Sequence, residues 1–379
     1  MKKTLIITLE YPPTVGGIAT YVHDLANALT AERVVVLAPR HPAGKDWDSN
    51  VTYKVIRKNM LFPRFIWPRW VRLAWQVFWI TRKEKIELLM VHHVLPAGYA
   101  AVLMKIFKKI PFLLFSHGTD VIAGAANPWK RRMVNMVAKH AEKIFFNSES
   151  LERRFLQIAP DYRWKALVLY PCPEEDFLVP PPDEETQQLR GRYALNGKKV
   201  LLSVGRLADG KGFPHMVRLL PEIVRRVPNL VWVVVGDGPK KQYLVEQIQK
   251  NSLQNVVRFI GEVPHGQLRQ YYYLADAFCV LTHPDEGREE GLGLVFLEAA
   301  AAGLPIVAGR SGGVEEGVLH EQTGLVVDIY KGDQSVIDAI VKVLTDTEYA
   351  KTLGDAAKAR IKKDFNWPDQ VRRLEPWIG

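Results

Sequence analysis

The residues best suited to chemistry are charged side chains on turns crowded with glycine. In "SVGRLADGKG", Arg206 and Lys211 flank a turn after an apolar run, with Gly205, Gly210 and Gly212 around them. Two cations on a tight loop suit a diphosphate, arginine as a two-pronged donor and lysine as a point charge. The loop is no Walker A, because Gly212 follows Lys211 where that motif needs Ser or Thr. In "EEGLGLVFLEAAAAGLP", Glu290 and Glu298 are spaced E-x7-E around Gly291, Leu292, Gly293 and Leu294, and the run from Leu294 to Gly303 reads as a helix. Glu290 then sits beside the open amides of a helix start. Glu298 falls at least a turn inside, on the side expected to face ligand. A buried carboxylate without a partner costs several kcal/mol or takes up a proton. A sugar nucleotide would occupy all of these groups, with one carboxylate on the sugar, amides and cations on the diphosphate and the other carboxylate on the ribose. The plainer alternative is two acids ion-paired near a helix start.

Two further turns lie in the first half. "EYPPTVGGIATYVHDLANAL" places Gly16 and Gly17 between a strand and a helix, where backbone can approach an anion. "FSHGTD" ends a strand at His117, which can donate to a sugar hydroxyl or stabilise developing charge, and His92-His93 ends another strand. There is no G-x-G-x-x-G, which argues against a dinucleotide-dependent oxidoreductase. No Cys, His or Asp set has metal-site spacing, so neither a metal nor a cofactor is expected.

The elements that must position these turns alternate throughout the chain. "KTLIITL", "RVVVLAP", "ELLMVHH", "PFLLFSH" and "KIFFNS" read as strands in the first half; "KKVLLSVG", "LVWVVVGDG", "VVRFIG", "AFCVLT" and "LPIVAG" read as strands in the second. Continuous apolar strands separated by amphipathic helices predict α/β architecture, with parallel sheets covered on both faces. A chain of 379 residues exceeds one ordinary core. "FLVPPPDEETQQL" reads as a linker between two doubly wound domains, 1–178 and 188–364. The tail 365–379 reads as an amphipathic helix crossing back to the first. Ligands bind beyond the carboxyl ends of such strands, so a cleft between facing domains is expected. Two distant cysteines, Cys172 and Cys279, fit a reducing cytoplasm. No uncharged stretch reaches the roughly 20 residues of a spanning helix.

Together these stretches resemble the family-4 retaining glycosyltransferases of the GT-B fold. "YPPTVGGIATYVHDLA", "SHGTD", "NSES", "VGRLADGKGF", "VVVGDGP", "EGLGLVFLEAAAAGLPIVA", "SGGVEEGV" and "TGLVV" run in family order. "DEGREEGLGLVFLEA" and "VAGRSGG" look most like bacterial phosphatidylinositol mannoside mannosyltransferases. The resemblance implies two Rossmann-like domains facing a central cleft and a metal-independent hexosyl transfer. Arg206 and Lys211 would bind the donor diphosphate, Glu290 the donor sugar and Glu298 the ribose. His117 would lie near the reacting sugar, with Gly16 and Gly17 bordering phosphates or acceptor; the Gly291–Leu294 turn would supply amides. Leu292 departs from a frequent Phe, Glu315 from a proline, and "YPCPEEDF" from the usual turn.

Charge is uneven. Residues 51–150 hold 17 Lys/Arg against 5 Asp/Glu, an excess of +12 that leaves the other 279 residues at −2 of a net +10. Within it, "FPRFIWPRWVRLAWQVFWITRKEK" carries four of the ten tryptophans. Read as a helix from Pro68, it has Arg69, Arg72, Gln76 and Lys83 as a polar stripe. An anionic membrane surface meeting residues 64–83 fits this pattern, as does a helix buried on the sheet with its arginines outside. No nucleic-acid recognition motif accompanies the charge. The expected partners are thus a nucleotide sugar, a lipid-linked or glycan acceptor and the inner face of the cell membrane. The rival expectations are a soluble or polysaccharide acceptor, or a non-catalytic scaffold.

Overall fold

The structure is a computed structural model that describes residues 1–379, the side chains of residues 119, 120, 122 and 123 excepted. The chain divides into two compact units, Met1–Pro171 with Trp367–Gly379, and Cys172–Asn366. The division therefore falls at Pro171, ahead of the proline run read as a linker. That run leads into a helix, Asp183–Arg192, whose Leu189 is buried within the second unit.

The first unit holds a parallel sheet of β1 (Thr4–Ile7), β2 (Val34–Pro39), β3 (Lys54–Lys58), β4 (Leu88–Val91), β5 (Phe112–Ser116), β6 (Lys143–Phe146) and β7 (Ala166–Val168). Their order is β3-β2-β1-β4-β5-β6-β7. Period-two alternation sorts each strand's side chains onto opposite faces. Leu5, Ile7, Val35, Leu37, Leu89 and Val91 enter one core, while Ile6, Val34, Val36, Leu88 and Met90 enter the other. Both faces are therefore dry, which is why these strands read as unbroken apolar runs. The second core is closed by the helix Trp367–Ile378, whose Leu374 and Ile378 pack into it. Gln370 Oε1 of that helix accepts from Tyr170 N at 3.1 Å, and Lys2 N donates to Ile378 O at 2.6 Å.

The second unit repeats the plan with β8 (Lys199–Val204), β9 (Leu230–Val235), β10 (Val257–Gly261), β11 (Ala277–Val280), β12 (Ile306–Gly309) and β13 (Leu325–Val327), in the order β10-β9-β8-β11-β12-β13. Every strand pair is parallel. In each sheet the order reverses once, between β1 and β4 and between β8 and β11. The loops leaving strands at such a point splay apart and open a crevice. Three strands escaped the sequence reading: β3, β7 and β13. All three are sheet edges, and "KVIRK" of β3 is exposed at both ends.

Candidate active site

In the second unit the loops after β8 and β11 carry the predicted charges to the switch point. After β8 the chain runs through Gly205 and exposed Arg206 to Lys211, then enters the helix Phe213–Arg226. Gly212 makes that entry possible: its φ is +75°, and a Cβ there would lie 2.0 Å from Leu281 O, just beyond β11. The Lys211 ammonium meets the Glu290 carboxylate in a direct ion pair, 31% and 19% exposed respectively. Arg206 has no ion pair among the described residues.

Glu290 is held through its backbone. Its N–H donates to Ser311 Oγ at 3.1 Å, and its carbonyl accepts from Gly313 N at 3.1 Å. Between them Gly312, at φ +52°, comes so close that a Cβ would stand 2.0 Å from Glu290 O. Past Glu290, Gly291 is half-buried and the Leu292 side chain is buried, so Leu292 can offer only backbone. Gly293 then caps the helix Leu294–Ala302 without any side-chain hydrogen bond. The Phe296 amide donates to Gly293 O at 2.9 Å, which leaves the Leu294 and Val295 amides available to an anion beside the Lys211–Glu290 pair.

Glu298 lies one turn inside the helix, its side chain 2% exposed and both oxygens engaged. Tyr272 hydroxyl donates to Oε2 at 2.6 Å, and Oε1 lies 2.9 Å from His265 Nε2. His265 Nδ1 lies 3.2 Å from Glu174 Oε1. Burial disfavours a charged imidazole, but hydrogen bonds to Glu174 and then Glu298 outweigh it and raise His265 to about 11. An imidazolium between two carboxylates is the polar partner that the buried Glu298 required. "PHGQL" and the acids of "CPEEDF" carried that signal, but nothing in their spacing joins them to Glu298.

In the first unit His117 directly follows β5 and is half-buried. Its Nε2 lies 3.2 Å from Nδ1 of His92, which directly follows β4 and is fully buried. Burial, with the His93 charge adding to it, pushes His117 down to about 3; burial likewise pushes His92 well down. Both rings are neutral at ordinary pH. Gly16 and Gly17 open the helix Gly17–Ala28. Neither is demanded by the fold: Gly16 has extended backbone, a Cβ there would meet only Glu10 Oε2 at 3.7 Å, and one on Gly17 would meet nothing within 4 Å.

The basic aromatic segment forms a helix over Val71–Lys83, starting after Trp70 rather than at Pro68. Its aliphatic face, Leu73, Val77 and Ile80, is buried against the sheet, while Trp75 and Trp79 stack edge to face outside at 5.7 Å, 64% and 50% exposed. Phe65 and Trp67 before it stand 86% and 82% exposed. Among the described residues, no helix is long and apolar enough to cross a membrane.

The Glycosyltransferase Family 4 model matches residues 15–171, and the Glycosyl transferases group 1 model matches residues 185–360. A GDP-mannose-dependent alpha-(1-6)-phosphatidylinositol monomannoside mannosyltransferase of Mycobacterium tuberculosis is 29% identical over 100% of this chain and 98% of its own length. A glycogen synthase of the same species is 26% identical over 96% of this chain and 91% of its own. Among solved structures, Anabaena HepE in complex with UDP and glucose superposes with a TM-score of 0.84 at 20% identity, covering 99% of each chain. Two tandem Rossmann-like units of the GT-B kind are thus the fold of this chain.

Proposed function

We propose that this chain, which belongs to the family-4 glycosyltransferases, moves a hexose from a nucleoside-diphosphate sugar to a hydroxyl of a lipid-linked or glycan acceptor, retaining the anomeric configuration and needing no metal ion. The observation that carries the reading is the Lys211–Glu290 pair beside an uncapped helix start at the β8/β11 switch point. GDP-mannose or a UDP-sugar is the donor, and the phosphatidylinositol mannoside enzymes among its relatives favour GDP-mannose.

Arg206, Lys211 and the helix amides take the diphosphate and stabilise the negative charge that grows on it as the bond to the anomeric carbon breaks. Glu290 accepts from hydroxyls of the transferred sugar. The departing phosphate oxygen takes the proton of the acceptor hydroxyl on the same face, the new glycosidic bond forms there, and the nucleoside diphosphate leaves. No carboxylate pair disposed as in a retaining glycosidase is required. Glu298 binds the ribose only by exchanging its bond to His265 or Tyr272 for one to a ribose hydroxyl. On the acceptor side, Gly16 and Gly17 leave room for an oxygen and His117 serves as a neutral donor. The chain works in the cytoplasm, peripheral to the inner membrane face, with residues 64–83 on anionic lipid.

The test offers labelled GDP-mannose and UDP-glucose, with EDTA, to vesicles containing phosphatidylinositol monomannoside and, separately, to glycogen. The account expects labelled glycolipid with the anomeric configuration of the donor. Label on glycogen alone would transfer the reading to a polysaccharide acceptor, inverted product would overturn retention, and transfer only after divalent cation is added would overturn metal independence.

A further inference from the structure

His92 is a buried histidine to which the reaction above gives no part. Its ring stacks on Phe115 at 4.3 Å and 13°, and lies nearly parallel to His117 at 5.4 Å and 14°. Packing on one side and the 3.2 Å contact between His92 Nδ1 and His117 Nε2 on the other fix both rings. Between two neutral imidazoles only one nitrogen can donate, and the two choices differ in what they strand.

Were His117 Nε2–H the donor, His92 would carry its own proton on Nε2. That atom is buried and has no hydrogen-bond partner among the described residues. A buried N–H without an acceptor is costlier and rarer than an acceptor with an unused lone pair. The reverse arrangement strands only a lone pair on His92 Nε2. It also places the proton of His117 on Nδ1, which makes no hydrogen bond among the described residues and belongs to the half-buried ring.

We propose that His92 is a positioning residue that donates from Nδ1 to His117 Nε2 and so holds His117 as the Nδ1–H tautomer, presenting a neutral N–H to a sugar oxygen. The recipient of that bond rests on the glycosyl-transfer reading; the tautomer does not. The strong downward shifts of both histidines agree with a pair that stays uncharged. A second-row group that fixes an imidazole's tautomer can matter as much as the imidazole itself.

The test is a long-range proton–nitrogen correlation spectrum of the full chain labelled with 15N-histidine at pH 7.5, the His117 signals being identified by their loss in His117→Asn. In the wild type the expected pattern is a protonated Nδ1 and a bare Nε2 for His117. His92→Phe keeps the stack on Phe115 and loses the donor, so His117 reverts to the Nε2–H form that free imidazole prefers. His92→Asn, whose amide N–H occupies the place of Nδ1–H, preserves the wild-type pattern. In transfer assays kcat falls about tenfold in His92→Phe, the worth of one hydrogen bond, with donor KM unchanged, and returns to within about threefold in His92→Asn. A protonated Nε2 on His117 in the wild type overturns the proposal, as does a tautomer unaltered in His92→Phe. The wild-type spectrum decides the direction even where His92→Phe does not fold. The expected tautomers without transfer of any sugar would sink the glycosyl-transfer reading and leave the pair as assigned.

Discussion

At the scale of residues, the second unit spends charge in two different ways. Lys211 and Glu290 form a partly open pair, where each partner can exchange the other for a ligand group. Glu298 is sealed, and its charge is balanced inside by His265, which Glu174 shares. Removing one partner of a buried pair strands the other, a loss of about 3–5 kcal/mol. His265 keeps 27% of its side chain exposed, so His265→Ala should fall at the low end, about 3 kcal/mol by urea unfolding. A loss below about 1 kcal/mol would mean that Glu298 finds water instead. The pH dependence has a definite sign. The folded state holds the His265 proton up to about 11 while the unfolded chain releases it near 6.5, so this stabilisation is complete below 6.5 and is lost as pH rises toward 11. Between pH 7 and pH 9.5 the wild type should therefore lose more unfolding free energy than His265→Ala. Equal losses would contradict the raised value.

At the scale of elements, the site is made by loops whose shape depends on close backbone contact. Gly212 touches the end of β11 and Gly312 touches Glu290, so both are fixed by the fold. Gly16 and Gly17 are not, and that makes them informative. Gly17→Ala adds a methyl in open space at the first turn of a helix, so stability should stay within about 0.5 kcal/mol of wild type. Activity should nevertheless drop, because the methyl occupies space reserved for a ligand oxygen; unchanged KM and kcat would remove these glycines from the site. The same distinction explains what the sequence disclosed. Central strands flanked by glycine turns were legible, because burial on both faces writes an unbroken apolar run. β3 and β7 were not, since a half-covered edge strand such as "KVIRK" carries no such run. The E-x7-E spacing revealed a helix entered at Leu294, yet helical periodicity cannot say which face of a nine-residue apolar helix is sealed. The polar partners that hold Glu298, His265 and Tyr272, come from 33 and 26 positions earlier in the chain.

At the scale of the molecule, the uneven charge acquires a place. The excess of +12 in residues 51–150 lies in the first unit, which also exposes Phe65, Trp67, Trp75 and Trp79. The helix Val71–Lys83 keeps its aliphatic face in the core, as one of the two sequence readings expected, and leaves Trp75 and Trp79 exposed. Interfacial tryptophans with Lys and Arg favour anionic lipid, each cation adding about 1 kcal/mol near the surface. Wild type should sediment with phosphatidylglycerol vesicles at low salt and release as screening increases. Trp75→Ser with Trp79→Ser should weaken that binding about tenfold or more. Binding unaffected by the double substitution would assign these tryptophans elsewhere.

The central claim is that the second unit holds a nucleoside-diphosphate sugar through the turn after β8, and it is open to one direct measurement. Thermal unfolding with GDP, UDP, ADP and their sugar conjugates, in EDTA, would be compared for wild type and Lys211→Ala. A ligand at about 100 times its Kd contributes about 2.7 kcal/mol to the folded state, enough to raise the midpoint by several degrees. The account predicts such a shift with one nucleoside diphosphate and its sugar conjugate, largely lost in Lys211→Ala. No shift with any nucleotide, or an equal shift in the variant, would contradict it.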